Sequence, residues 1–222
     1  MVTSSLLNGI PGILHGFGCA SALVPVALAP VWEFRPAKRQ VHGTRIAAIH
    51  EPQQQAGEAD GFFTAASGLP VSIITADCIP LLIARRDGSQ IAAVHAGWRG
   101  LYDGIVPAAL AAMGEGANVV AAIGPTICAS CYEVSEELAE DFAQRFAALP
   151  RDVLLPTYRH LDLRAVAEYQ LRAAGVKEIE HVGGCTCCAR DAAGENIYRS
   201  YRRGDRGSQM HSGLYITTKG EK

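Results

Sequence analysis

The 222-residue chain lacks most of what would mark a membrane, nucleic-acid or disulfide-framework protein. It has no apolar run of the roughly 20 residues that a bilayer-spanning helix needs. The opening stretch MVTSSLLNGIPGILHGFG has no basic region, and Gly and Pro break up its apolar part, so it does not read as a signal peptide. Positive charge is not in excess. The 20 Lys and Arg stand against 22 Asp and Glu, and a net charge of −2 disfavours an electrostatic nucleic-acid binder. Seven cysteines, an odd number without regular spacing, do not make a secreted disulfide framework. Internal repeats, low-complexity tracts and linkers are missing as well. A cytoplasmic protein with a small-molecule partner, rather than a membrane or nucleic acid, is the simplest account.

What is present is a large core. Hydrophobic residues make up 49% and charged residues 19%, and the length suits one domain over residues 1–222. The stretch TADCIPLLIARRDGSQIAAVHAGWRG, from Thr75 to Gly100, organises the rest. It reads as a hairpin of two apolar runs, Val71–Ala84 and Ile91–Ala96, joined by the turn-forming Arg86–Ser89. An ordinary buried hairpin carries only aliphatics. This one adds Asp77 and Cys78 in its first half and His95, Trp98 and Arg99 at its end. Neighbouring strands can bring a thiol and an imidazole together, and Gln40-Val41-His42-Gly43 offers a second imidazole upstream. Two His and one Cys form a three-ligand N/S set that leaves a fourth zinc position open. The alternative is a buried structural thiol beside a core histidine, and the spacing matches no standard zinc motif.

Elsewhere the pattern alternates between strands and surface helices. Gln40–Ile49 reads as a strand, and Asp60 either holds the site or caps a turn, composition favouring the turn. A small-residue helix runs from Pro107 through Met113, and Asn118–Ile123 is another strand. Ser135 caps a helix with the core stripe Leu138, Phe142 and Phe146, and Asp162 caps a second that Gly175 ends. Val176–Val182, Ile197–Tyr201 and Leu214–Thr217 read as further strands. The class is α+β, with helices covering mixed sheets. Cys128, Cys131, Cys185 and Cys188 can be drawn as a second zinc site, but ordinary buried thiols are the preferred reading. The basic run Arg199–Arg206 reads as a solvated surface strand.

In order, the segments QVHG, ADGFFT, TADCIPLL, AAVHAGWRG, IGPTICASCYEV, Cys185-Thr186 and SYRRGD resemble the laccase-domain, or YfiH-like, family. Its members go by the names purine nucleoside phosphorylase, polyphenol oxidase and peptidoglycan editing factor. The resemblance runs from about Gln40 to the C-terminus. It implies a layered α/β/β/α arrangement, the YfiH-like cysteine hydrolase fold, and a catalytic zinc on His42, Cys78 and His95. It also implies phosphorolysis of adenosine, inosine and methylthioadenosine, with deamination of adenosine at the same metal. Arg45, Arg99 and Arg203 are then the candidate phosphate clamps, with Arg99 preferred, and Asp77 is a candidate base if the strand bends beside it. Competing readings are a thiol hydrolase using Cys78 and His95, a copper polyphenol oxidase, and a non-enzymatic zinc-stabilised domain. A multicopper centre needs many imidazoles, and seven His without a His-x-His pair make copper the less favoured metal. The chain departs from the family where Gly18–Ser21 follows the His15-Gly16-Phe17 motif in place of an Arg-bearing turn. Gly207-Ser208-Gln209 stands where the family commonly has Gly-Arg. Both departures remove a potential anion contact.

Overall fold

The computed structural model describes residues 2–114, 118–207 and 209–218, so Ser208 of the closing segment lies outside the described residues. The chain begins with α1 (Ser5–Asn8), β1 (Ile13–Phe17), a 3-10 helix (Val26–Phe34), β2 (Ala37–Arg39) and β3 (Ile46–Ala48). Next come β4 (Gln55–Glu58), β5 (Gly61–Thr64), β6 (Val71–Thr75), β7 (Ile79–Arg85) and β8 (Ile91–Ala96). Helices α2 (Trp98–Asp103) and α3 (Ile105–Ala112) lead to β9 (Val119–Ile123), α4 (Glu136–Arg145), α5 (Arg151–Leu154) and α6 (Leu163–Ala173). Strands β10 (Glu178–His181) and β11 (Met210–Ile216) complete the order.

Six strands form one mixed sheet in the order β10-β9-β7-β8-β5-β3, and three form a second, β1-β11-β6. The central strands β7 and β8 are buried on both faces. That is why they read as unbroken apolar runs rather than alternating ones. Alternation still decides what each residue meets. Leu81, Ile83, Ala92, Val94 and Ala96 pack with Phe142, Leu163, Val166 and Leu171 of the helices. Leu82, Ala84, Ile91 and Ala93 pack with Phe17, Val71, Ile73 and Leu214 of the second sheet. The outer face of that sheet is covered by Leu28 and Val31 of the 3-10 helix, around Tyr215. The layers are therefore helix, sheet, sheet and a reduced helical layer, as the α+β reading expects.

Both expected caps form: the Ser135 side chain accepts from Leu138 N, and Asp162 accepts from Arg164 N and Ala165 N. Three expectations need correction. The run Val71–Ala84 is not one strand. Its first part, β6, lies in the second sheet and its last part, β7, in the first. The chain crosses between sheets at Ala76-Asp77-Cys78, where Asp77 has φ 92°. Hydropathy cannot register this break, because both parts are equally apolar. Within Gln40–Ile49 only β3 is extended, since His42 at φ 62° turns the chain. Ile197–Tyr201 forms bends instead of a strand, held by polar contacts described below. Among the described residues no helix is long and apolar enough to cross a membrane.

Two histidines, His15 buried and His211 half-buried, are held as neutral groups. His15 accepts the Ser4 backbone N–H at 2.8 Å, and burial lowers its pKa to about 4 against the nearby charge of Glu180. Burial, with Lys38 and Arg35 nearby, lowers His211 to about 4 as well. Both titrate near 6.5 when unfolded, so the unfolded chain binds more protons between about pH 6.5 and 4. Stability should fall as pH falls through that window, by on the order of 2–3 kcal/mol per histidine. In urea titrations His15→Gln should be less stable at pH 7 yet lose less on acidification. An unchanged acid slope in that variant would remove His15 from the account.

Candidate metal centre and adjoining cavity

The crossing between sheets creates the site. Cys78 immediately precedes β7, and His95 lies near the end of β8, where it pairs in register with Pro80. Strand alternation turns His95 away from the helices, on the same side as Ile91 and Ala93. His42 comes from the turn between β2 and β3. One ligand atom from each of His42, Cys78 and His95 falls within 4.8 Å of the others. A Cβ on Gly97 would lie 3.1 Å from Cys78 Sγ, 3.1 Å from His42 Cδ2 and 3.8 Å from His95 Nε2. Glycine there leaves the space onto which the three groups converge.

Asp60 holds two of them. Its Oδ1 contacts His95 Nδ1 at 2.7 Å, which leaves His95 Nε2 for the cluster. The same carboxylate accepts the backbone N–H groups of Val41 (3.1 Å), His42 (2.9 Å) and Gly43 (2.8 Å). Those bonds fix the left-handed backbone of His42, a conformation costing about 1–3 kcal/mol that persists only where its surroundings over-determine it. Burial opposes the charge on Asp60, but the bonds from His95, Gly43 and Val41 outweigh it and hold the carboxyl below its usual range. For His95, burial opposes the charged ring, and Asp60 and Cys78 outweigh burial to raise it to about 9. For Cys78, burial opposes the thiolate, and His42 and His95 outweigh it to lower the thiol to about 6. Composition favoured a turn cap for Asp60. The structure corrects this: the side chain binds the remote QVHG turn and orients His95, so Asp60 holds the site.

A cavity of about 650 Å³ opens beside this cluster. His42, Cys78, His95 and Trp98 line one part, and Tyr132, Tyr201, Arg202, Arg206 and Lys38 line others. The Tyr132 phenol is pushed up to about 12 by burial and by Cys78, so it remains a donor. Lys38 donates to the backbone oxygen and the hydroxyl of Ser72. Burial, reinforced by Arg35, lowers its amine to about 7.

The expected substrate contacts fall out differently. Arg45 donates to the carbonyls of Ala56 and Glu58, both at 2.7 Å, and does not line the cavity. Arg203 bonds Thr186 O, Cys187 O, Tyr198 O and the Asp205 carboxylate, so it staples its own loop. Arg99 is exposed, stacks at 4.9 Å over the Trp98 ring and also lies outside the cavity lining. Asp77 lines the cavity, but both carboxylate oxygens are engaged. Oδ1 accepts from Thr186 Oγ1 at 2.6 Å and Oδ2 from the Arg202 N–H at 2.7 Å. Sequence reasoning passed over Lys38, Tyr132, Tyr201 and Arg206, whose only signal was proximity to QVHG, CYEV and SYRR.

Comparison with known proteins places the fold in a family. The family model for multi-copper polyphenol oxidoreductase laccase matches residues 28–216, and the chain belongs to this YfiH-like family. It is 37% identical over 169 residues to a purine nucleoside phosphorylase of Streptomyces coelicolor, covering 73% of this chain and 68% of that protein. It is 34% identical over 176 residues to a purine nucleoside phosphorylase of Xylella fastidiosa, covering 76% and 68%. Among solved structures, Bacillus licheniformis YfiH superposes with TM-score 0.72 at 25% identity, covering 83% of this chain and 75% of that one. A Neisseria meningitidis protein superposes with TM-score 0.74 at 27% identity, covering 87% and 79%.

Thr186 is fully buried, and its hydroxyl satisfies a carboxylate oxygen. Thr186→Val should therefore cost about 1–3 kcal/mol of unfolding free energy, because the charged acceptor is left without its donor. Urea unfolding at pH 7 measures this, and a loss below roughly 0.5 kcal/mol would mean that Asp77 finds another partner.

Proposed function

We propose that the chain cleaves purine nucleosides of the adenosine, inosine and methylthioadenosine class with phosphate, with deamination of adenosine as a companion activity. The observation that carries this reading is the shared cavity, with a His42–Cys78–His95 donor set at one part and aromatic and cationic side chains around it. The names of the relatives support it. The donor set fits zinc, with neutral imidazole nitrogen and thiolate sulfur close enough to share one ion. A zinc held there supplies a Lewis acid with one position open to water or substrate. All seven cysteines are free, which suits the reducing cytoplasm.

The protein groups divide the remaining work. Asp60 fixes the His95 ring, so that Nε2 faces the donor cluster. Trp98, Tyr132 and Tyr201 line the cavity with aromatic surface of the kind that receives a planar base. Arg206, with Arg202, supplies positive charge for phosphate, a role that Arg99 had been expected to fill. Asp77 positions the turn that carries Cys78 and is not assigned as the base. Copper is supported less, because among the described residues no cluster of several imidazoles forms beyond His42 and His95.

One observation favours a second reading. Cys78 beside His95, itself oriented by Asp60, is also the nucleophile–base–orienter arrangement of a thiol hydrolase such as a peptidoglycan-precursor editing enzyme. Zinc-bound thiolate is not a free nucleophile, so the metal separates the two. Cys78→Ser should abolish zinc binding at this centre and reduce nucleoside cleavage at least 100-fold. Undiminished zinc at His42 and His95 would refute the assignment, and chelator-insensitive hydrolysis of a muramyl peptide would favour the thiol hydrolase. Asp60→Asn should weaken zinc affinity by about 10- to 100-fold, read by competition with a chromogenic chelator.

Two arginine variants test the anion contact. Arg206→Ala should lower phosphate-dependent cleavage by about tenfold, or 1.4 kcal/mol, mainly through the KM for phosphate. Arg99→Ala should change it less than about threefold, under 0.7 kcal/mol. The reverse ranking, in steady-state kinetics with varied phosphate, would return the clamp to Arg99.

A further inference from the structure

A second cluster of metal-capable groups shares no residue with the His42 cluster. Cys128, Cys131, Cys185 and Cys188 come from segments far apart in sequence, yet their sulfurs all lie within 4.8 Å of one another. All four are free thiols. A tetrahedral tetrathiolate zinc with bonds of about 2.3 Å spaces its sulfurs by roughly 3.8 Å. The observed spacing needs only a small contraction to reach this, and it leaves no room for the several irons and sulfides of an iron–sulfur cluster. The sequence pattern agrees, since two Cys-x-x-Cys pairs are present once Cys187 is set aside.

The surroundings are built for such an ion. Ala129–Cys131 forms a tight 3-10 turn in which Cys131 N donates to Cys128 O at 3.0 Å. Cys128 N donates to Cys185 Sγ at 3.3 Å, an amide-to-sulfur bond of the kind that stabilises a thiolate. Thr126 and Cys185 form a parallel bridge, with Thr186 N donating to Thr126 O at 3.1 Å. Among the described residues, no helix or named strand lies between β10 and β11. A segment of that length without regular structure needs some other restraint. Arg203 supplies part of it.

We infer that Cys128, Cys131, Cys185 and Cys188 bind one zinc ion as a closed structural site that clamps the loop after β10 to the turn after β9. Binding replaces four thiol protons with one cation, and four protein ligands leave no position for substrate. The clamp acts on the cavity through its neighbours. Thr186, beside Cys185, holds Asp77, and Arg202 reaches back to the carbonyls of Cys131 and Glu133 at 3.3 and 2.9 Å. This zinc therefore builds the wall that carries Tyr132 and Arg202, while His42, Cys78 and His95 are left to the chemistry. The inference does not depend on the reaction proposed above.

Metal analysis of the full chain, purified without chelator, tests it. The wild type should hold two zinc ions per chain, and Cys78→Ala should hold one. Loading Cys78→Ala with cobalt(II) should give the sulfur-to-cobalt charge-transfer bands of a tetrathiolate. The double variant Cys131→Ser/Cys188→Ser should lose one zinc relative to wild type and melt at least 5 °C lower. If that variant does not fold, the stoichiometry and cobalt spectrum of Cys78→Ala still decide the matter. A Cys78→Ala chain that folds without any metal would overturn the inference. So would intact-mass evidence that the four cysteines form two disulfides in the freshly purified protein. A single wild-type zinc that persists in Cys78→Ala would support this site and count against the His42 centre instead.

Discussion

The structure depends on how Asp77 is held as the chain passes from one sheet to the other. Its carbonyl accepts Thr126 Oγ1 at 2.5 Å and Ile127 N at 3.1 Å, while its carboxylate accepts from Thr186 and Arg202. Four donors from three distant segments thus converge on one residue with a positive φ. A buried carboxylate left without donors would cost several kcal/mol. The segments after β9, β10 and Tyr201 are consequently tied to the point where Cys78 enters β7. Whatever fixes this crossing also fixes the thiol.

Asp60 is the matching device on the other side. It gathers three successive amides of the QVHG turn and the ring of His95, bringing two imidazoles to one thiol. The two aspartates hold different things: Asp60 orients donor groups, and Asp77 orients the backbone that delivers Cys78. Neither side chain is free to move toward a substrate. At the cavity rim, Tyr201 and Arg206 are exposed, and the Arg206 guanidinium lies 3.5 Å from the centre of the Tyr201 ring.

The family description names copper, whereas the donor set here is two imidazoles and a thiol. Thiolate with imidazole can hold a soft or borderline cation, and among the described residues only His42 and His95 bring imidazoles to this cluster. The four cysteines gather a second set of possible metal donors. They lie among loops rather than strands, where apolar burial alone provides little restraint.

Much of this architecture was legible in the chain. Apolar periodicity marked β7, β8, β9 and the stripes of α4 and α6, because burial selects residue type locally. Ser135 and Asp162 marked their helices, because a cap needs only its own turn. His42, Cys78 and His95 were picked out by motif as candidate ligands, and the fold brings one atom of each within 4.8 Å of the others. Other features depended on contacts between distant segments. The division of Val71–Ala84 between two sheets left no mark in hydropathy, since both sheets bury that run. The roles of Asp60 and Asp77, the stapling by Arg45 and Arg203, and the meeting of Cys128 and Cys131 with Cys185 and Cys188 all required the fold. A side chain's chemistry is written in its residue type, but whether it faces a substrate or a backbone carbonyl is decided by which remote segment arrives beside it.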